Sequence, residues 1–138
     1  MDLKKIVSVL FLFYAVVCNS FANVKHNERE RLIHAIAKVE SKLNEKAVSG
    51  DCVGYLQIRP ILVKECNNIL KERGIKTRFT LSDRLSKERS IEMFKIFQEK
   101  HNPKFEIEKA IWIWNAGAFA KVKPRNYIRK VMNEFRKS

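Results

Sequence analysis

Apolar residues along most of the chain recur at the spacing of one helix face. The first stripe predicts a helix that begins near Asn27, where Asn27 and Glu30 form a capping-box pattern, and ends at about Ser41. Its apolar positions are Leu32, Ile33, Ile36, Ala37 and Val39. A carboxylic acid, Glu40, falls on the same face, because it lies seven residues after Ile33 and four after Ile36.

Four more helices are predicted from stripes with clear start and stop signals. One begins at Pro60 and ends before Gly74, and another is capped by Ser86 and stopped by Asn102-Pro103. A further helix from about Ile107 ends at a glycine cap. The last carries an apolar stripe formed by Tyr127, Ile128, Val131, Met132 and Phe135.

Two segments depart from the helical pattern. Cys52 to Ile58 follows a Ser-Gly-Asp turn and is short, apolar and rich in β-favouring residues, which predicts a small β excursion or an ordered loop. Ile75 to Leu85 is irregular, with Phe79 and Leu81 expected to anchor it. We therefore predict a mainly α fold, with one helical domain and a small β element near 52–58.

The first 22 residues have the layout of a secretory signal peptide. Lys4 and Lys5 precede an apolar core from Ile6 to Val17, and Ser20-Phe21-Ala22 offers a small-x-small cleavage site. We expect residues 1–22 to be a signal peptide and 23–138 the mature domain, exported to the periplasm, the cell envelope or the extracellular space. An uncleaved anchor and lipidation at Cys18 are the alternatives, although lipoprotein signals usually carry a small residue where this chain has Val17.

Charge and composition limit the kinds of partner that the protein can have. The chain is 46% hydrophobic and has few Gly or Pro residues, which excludes a disordered protein. Its net charge is +13, and it stays at +12 after loss of Lys4, Lys5 and Asp2. Outside the cell this charge favours anionic envelope polymers over nucleic acid. We expect a monomer that meets the membrane only in transit, without a metal or other cofactor.

Cys52 and Cys66 are the cysteines of the predicted mature chain. The expected compartment permits a disulfide between them, and two free thiols are the other possibility, because the sequence does not give their separation.

Glu40 is the candidate for chemistry. Burial and the negative end of the helix dipole both disfavour a charged carboxylate, so both raise its pKa. A raised carboxyl pKa suits a general acid near neutral pH. The alternative is that Glu40 points to solvent at a frayed helix end or pairs with a basic residue.

Four short motifs in order give the sequence a family resemblance. They are Val39-Glu40-Ser41, Gly54-Tyr55-Leu56-Gln57-Ile58, Ile113-Trp114-Asn115-Ala116-Gly117, and Tyr127 in the last helix. The set resembles the lytic transglycosylases of the soluble-transglycosylase and goose-type-lysozyme group, which have a lysozyme-like fold. This chain has Tyr55-Leu56 where many members have Leu-Met, Trp114 for the usual Tyr, and Pro124-Arg125 for Glu-Thr.

The resemblance implies roles for these residues. Glu40 would be the catalytic acid and base for the β-1,4 bond between N-acetylmuramic acid and N-acetylglucosamine in peptidoglycan, giving 1,6-anhydro products. Ser41 and Tyr127 would support it. The glycan strand would be bound by Gly54, Gln57, Asn115, Ala116 and Gly117.

Two other functions stay open at this stage. A hydrolytic lysozyme normally needs a second carboxylate. Asp51 and Glu65 flank the second motif, but Asp51 suits a turn and Glu65 a solvated helix position. The remaining alternative is a cationic protein that binds peptidoglycan without cutting it.

Overall fold

The computed structural model describes residues 2–138. Five α-helices account for most of this part of the chain. They are α1 (Leu3–Ser41), α2 (Pro60–Glu72), α3 (Lys87–His101), α4 (Ile107–Ala116) and α5 (Arg125–Lys137). Two short antiparallel strands, β1 (Val48–Ser49) and β2 (Cys52–Val53), and a 3-10 helix at Leu81–Leu85 complete the elements. The mainly α prediction is confirmed.

The start predicted for the first helix is wrong. Helix α1 continues without a break from Leu3, so Asn27 and Glu30 lie inside it and do not form an N-terminal cap. No Gly or Pro occurs between Leu3 and Ser41, so nothing in this stretch stops helix propagation. The predicted end at Ser41 is confirmed, and Lys42 and Leu43 follow with positive φ angles of 53° and 67°.

The chain divides into two compact units, residues up to Arg31 and Leu32–Ser138. In the first unit most large apolar side chains between Leu3 and Val24 are exposed. Within residues 2–138, α1 is the one helix long and apolar enough to cross a membrane, and a signal sequence near the N-terminus would pass the same test.

The second unit has a continuous apolar core. The stripe predicted for the end of α1 is buried there except for Val39, which is partly buried, and Leu32, Ile36 and Ala37 are fully inaccessible. Helices α2, α3, α4 and α5 add their own buried faces. The largest fully buried apolar side chains outside α1 are Phe94, Leu56, Ile58, Ile69, Met93, Ile111 and Val131.

The predicted helix boundaries of this unit rest on local signals. Pro60 occupies the first turn of α2, and Gly74 follows α2 with a φ of +71°. Ser86 caps α3 by accepting a hydrogen bond from the Arg89 backbone N–H at 3.3 Å. Gly117 ends α4 with a φ of +94°.

The 52–58 segment forms a compact loop. Strands β1 and β2 pair Val48 with Val53, and a single bridge joins Val53 to Ile58. Gly54 has a φ of +86°, and a Cβ at this position would lie 1.7 Å from the carbonyl oxygen of Arg84. Only glycine fits there, because the backbone of the 3-10 helix packs directly against it.

The segment from Ile75 to Leu85 is anchored at one of its two predicted positions. Phe79 is buried, and its backbone N–H and carbonyl both bond to the Asn67 side chain of α2. Leu81 is 52% exposed, so its predicted anchoring role is wrong. The Asn67 hydrogen bonds and the Phe79 ring hold the segment, and Leu81 starts the 3-10 helix on the solvent side.

Candidate active site

A cleft of about 290 Å³ opens beside the end of α1. Its walls come from α1, the 52–58 loop, the start of α2, α3 and the end of α4. The residues that line it are Glu40, Cys52, Gln57, Ile58, Arg59, Ile61, Leu62, Glu65, Phe97, Ile113, Trp114, Asn115, Ala116, Gly117, Ala118 and Phe119. An apolar cleft with a few polar groups is typical of a small-ligand or substrate site.

Glu40 lies in the wall of this cleft and is partly buried. The hydroxyl of Tyr127 on α5 donates a hydrogen bond of 2.7 Å to Glu40 Oε1. Burial raises the pKa of the Glu40 carboxyl, while the Tyr127 hydrogen bond and the positive charge of Arg59 oppose the rise. Burial is the largest of these effects, so the pKa of Glu40 lies above its ordinary value.

Tyr127 is held as a neutral donor. Burial is the main cause that raises the pKa of its phenol, and the adjacent Glu40 carboxylate adds to it. A phenol in this state keeps its proton near neutral pH and donates a hydrogen bond to Glu40. The contact joins two residues that are 87 positions apart in the sequence.

Ser41 is buried and is bonded to backbone rather than to Glu40. Its hydroxyl lies 2.7 Å from the carbonyl oxygen of Tyr55 and 3.0 Å from that of Ala37. It therefore ties the last turn of α1 to the 52–58 loop. This places Ser41 where it fixes the backbone that carries Glu40.

Residues of the second motif, Gly54 to Ile58, have different positions relative to the cleft. Gln57 lines the cleft, with a φ of +50°, and its amide nitrogen donates to the carbonyls of Ala47 at 3.1 Å and Gly54 at 3.0 Å. Gly54 is buried against Arg84 and is not part of the cleft wall. The structure thus gives Gly54 a packing role and Gln57 a loop-bracing role at the cleft surface.

The third motif ends α4 at the cleft. Asn115, Ala116 and Gly117 are exposed and line it together with Trp114. The Trp114 ring packs edge-on against Phe94, with ring centroids 4.9 Å apart. The four motifs therefore come together in space, with Gly54 set behind the wall.

Among the cleft residues, sequence reasoning did not single out Arg59 or Phe119, and it set Glu65 aside. Arg59 directly follows the second motif, Glu65 is one turn along α2, and Phe119 follows the third motif by two residues. Glu65 was considered as a second carboxylate and interpreted as a solvated helix position. Its side chain is 38% exposed, and it also lines the cleft and bonds His101. Position relative to the motifs was the available signal for Arg59 and Phe119.

Cys52 and Cys66, for which a disulfide was considered, are both free thiols in this structure. Cys66 is buried, and its thiol donates to the carbonyl of Met93 at 3.4 Å. Burial raises the pKa of the Cys66 thiol to about 12, so it behaves as an inert core residue. Cys52 is partly exposed at the cleft.

A mainly α domain with a partly buried carboxyl in an apolar cleft is what the resemblance to the lysozyme-like class of proteins predicts. The family model for the transglycosylase SLT domain matches residues 18–134. The chain therefore belongs to the SLT transglycosylase family, whose members are glycan-cleaving, lysozyme-like enzymes that act on peptidoglycan. A search of curated proteins found no significant match.

Proposed function

We propose that this protein cleaves the β-1,4 bond between N-acetylmuramic acid and N-acetylglucosamine in peptidoglycan and releases 1,6-anhydro-muramoyl products. The observation that carries the proposal is Glu40, a cleft carboxyl whose pKa is raised by burial and whose Oε1 is held by Tyr127. Such a group can hold a proton near neutral pH and release it to a bound substrate.

Glu40 serves as acid and then as base. It first donates its proton to the glycosidic oxygen, the bond from that oxygen to C1 of the muramoyl sugar breaks, and the N-acetylglucosamine part leaves as an alcohol. The substrate's own N-acetyl group stabilises the positive C1 centre. The Glu40 carboxylate then removes the proton from the muramoyl 6-hydroxyl as that oxygen bonds to C1, which restores the acid.

The surrounding residues hold Glu40 and the glycan. Because Tyr127 donates to Oε1, the transferable proton of Glu40 sits on Oε2. Ser41 supports Glu40 through the backbone of the helix end. The glycan contacts come from Gln57 and from the exposed end of α4 at Asn115, Ala116 and Gly117, all of which line the cleft.

Hydrolysis is the second candidate reaction, and the presence of Glu65 in the same cleft favours it. A second carboxylate could activate water, which would give products with a free reducing end instead of an anhydro ring. The two reactions differ by the mass of one water in the muramoyl product, so the product decides between them.

The test is mass spectrometry of soluble products after the protein has digested purified peptidoglycan. We expect anhydro-muropeptides from the wild type and none from Glu40→Gln, with Glu72→Gln, an exposed carboxylate on α2, as the matched control. Reducing-end products would replace the proposal with hydrolysis. An absence of products from folded wild-type protein would leave a peptidoglycan-binding protein.

We further propose that residues 1–22 are removed on export and that 23–138 acts in the envelope, drawn to anionic wall polymers by its positive charge. Two features of α1 support the removal of residues 1–22: its apolar side chains before Val24 are mostly exposed, and the helix contains a stretch of high mean hydropathy. The intact mass of protein recovered from the cell envelope or the medium tests it. We expect a chain that begins at Asn23, and a mass that retains residues 1–22 would contradict the cleavage.

A further inference from the structure

Glu65 lines the cleft and pairs with His101, which is not itself a lining residue, and the proposed mechanism does not use this pair. Glu65 projects from α2, and its Oε1 lies 3.0 Å from Nε2 of His101 at the end of α3. The Glu65 side chain is 38% exposed and lines the cleft, whereas the His101 side chain is only 12% exposed. Since an ionised carboxylate only accepts hydrogen bonds, Nε2 of His101 carries the proton that joins them.

Aromatic rings fix the imidazole of His101. Its centroid lies 4.8 Å from that of Phe97 and 5.7 Å from that of Phe119, and the contact with Phe119 is edge-on. The ring is therefore held by packing, and it holds one oxygen of Glu65 in turn. A carboxylate offers about four acceptor positions, so the part of Glu65 that faces the cleft can accept further hydrogen bonds.

Two other pairs link the same helices, and they show that Glu65 is unusual. Glu72 of α2 pairs with Lys100 of α3, and Arg73 pairs with Glu99. Neither of these pairs lines the cleft. Exposed pairs of this kind contribute little stability, and Glu65 differs from them because it faces a cavity with apolar walls such as Leu62 and Phe97.

Phe119 gives the pair an apolar neighbour at the cleft. Phe119 is 87% exposed and lines the cleft, and its ring contacts that of His101. A flat apolar ring next to a fixed hydrogen-bond acceptor matches a pyranose, which has an apolar C–H face and a rim of hydroxyl and amide donors. The combination of aromatic surface and few placed polar groups is typical of ligand sites.

We propose that Glu65, Phe119 and the positioning residue His101 form a sugar-binding subsite for the glycan strand. This inference rests on the proposed function. The Glu65 carboxylate accepts hydrogen bonds from a hydroxyl or amide N–H of one sugar ring, and the apolar face of that ring packs on Phe119. Glu65 is a binding residue here, and Glu40 alone carries out the proton transfers.

A sugar fits this site better than the ammonium group of a stem peptide. His101 already donates a hydrogen bond to the carboxylate, so one of its acceptor positions is occupied. The other acceptor positions remain usable by neutral hydroxyl and amide donors. The exposed ring of Phe119 adds an apolar contact, which an ammonium group would not use.

The test is calorimetric titration of the full chain with a peptide-free tetrasaccharide of alternating N-acetylglucosamine and N-acetylmuramic acid. All variants carry Glu40→Gln so that the probe is not cleaved. We expect Kd to rise about tenfold in Glu65→Ala and in Phe119→Ala, and by less in Glu65→Gln, which keeps one acceptor oxygen. Glu72→Ala, which removes the neighbouring bridge between α2 and α3, should stay within twofold.

Each other result has a defined meaning. An unchanged Kd in Glu65→Ala, or an equal loss in Glu72→Ala, would overturn the subsite. A loss seen only with a tetrasaccharide that carries stem peptides would overturn the sugar assignment in favour of an ammonium group. Thermal unfolding of each variant reports folding, and Glu65→Gln supplies the decisive comparison if Glu65→Ala is unfolded.

Product analysis with wild-type Glu40 separates this inference from the proposed function. Anhydro products from the wild type together with an unchanged Kd in Glu65→Ala would leave the function and remove the subsite. If binding depends on Glu65 but the wild type cleaves nothing, the subsite would be supported and the proposed function would be wrong.

Discussion

Glu40 and Glu65 line the same cleft, but their partners are of different chemical kinds. Glu40 is held by a phenol, which donates a hydrogen bond and carries no charge near neutral pH. Glu65 is held by an imidazole, which can carry a positive charge. Burial is the largest effect on Glu40 and raises its pKa. Glu65 lies in the same cleft with its Oε1 held at 3.0 Å by the His101 ring.

The difference shows how one cleft can use the same side chain for two purposes. A carboxyl that is to donate a proton needs an environment that disfavours its charge. A carboxylate that is to accept hydrogen bonds from a ligand needs a fixed orientation. In this protein the choice of partner, Tyr127 or His101, separates the two environments.

The largest expected effect is on kcat, and it distinguishes Glu40 from Glu65. Glu40→Gln should lower kcat on peptidoglycan by about 10³-fold or more, because it removes both acid and base. Glu65→Gln should leave kcat within about tenfold and act mainly on KM. The measurement is the rate of muropeptide release at several substrate concentrations. An equal loss of kcat in both variants would show that both carboxylates take part in the chemistry.

Substitution of Tyr127, the hydrogen-bond partner of Glu40, is expected to change kcat by less. The Tyr127 hydrogen bond lowers the pKa of Glu40 against the effect of burial, so Tyr127→Phe should raise this pKa further. The limb of the kcat profile on which Glu40 loses its acid proton should then move to higher pH. We expect about a tenfold loss of kcat at the wild-type optimum, because the carboxyl is also less well positioned.

The matched control for this profile is Glu65→Gln, which should leave the same limb in place. The measurement is kcat between pH 4 and pH 9 for wild type and both variants. A limb that moves to lower pH in Tyr127→Phe would contradict the part assigned to the phenol.

The sequence predicted most helix boundaries because the signals for them are local. Pro60, Gly74, Ser86 and Gly117 act through their own backbone geometry or a hydrogen bond three residues away, and each lies where it was expected. The pattern at Asn27 failed since a capping sequence starts a helix only where the chain is not already helical. The prediction that Leu81 anchors the segment from Ile75 to Leu85 was wrong, and hydrogen bonds from the Asn67 side chain to the Phe79 backbone hold that segment instead.

Residue spacing alone predicted one residue of the candidate site, and the other predicted residues came from the family resemblance of the four motifs. Glu40 falls on the apolar face of its helix, and that spacing was enough to single it out. Its contact with Tyr127 spans 87 residues, and the pair of Glu65 with His101 spans 36. No local pattern encodes such contacts, so the cleft position of Glu65 became visible only in the folded chain.

The smallest expected effect concerns stability, and its sign should differ between the two carboxylates. The pKa of Glu40 is raised above 4.5 in the folded protein, so the folded state holds this proton more tightly than the unfolded state. The stability of the wild type therefore falls as the pH rises from about 4.5 through the raised pKa, where Glu40 ionises. Glu40→Gln removes this loss and should be more stable by about 1 kcal/mol at pH 7.5.

Glu65→Gln removes the carboxylate that accepts the His101 hydrogen bond and should be less stable than the wild type at pH 7.5 by up to about 1 kcal/mol, as for a partly exposed pair. Urea unfolding at pH 3.5 and pH 7.5 measures both free energies of unfolding. The gain from Glu40→Gln should disappear at pH 3.5, because the wild-type carboxyl is then neutral in both states. A Glu40→Gln variant less stable than the wild type at pH 7.5 would mean that the ionised carboxylate stabilises the fold, and the contrast with Glu65 would be lost.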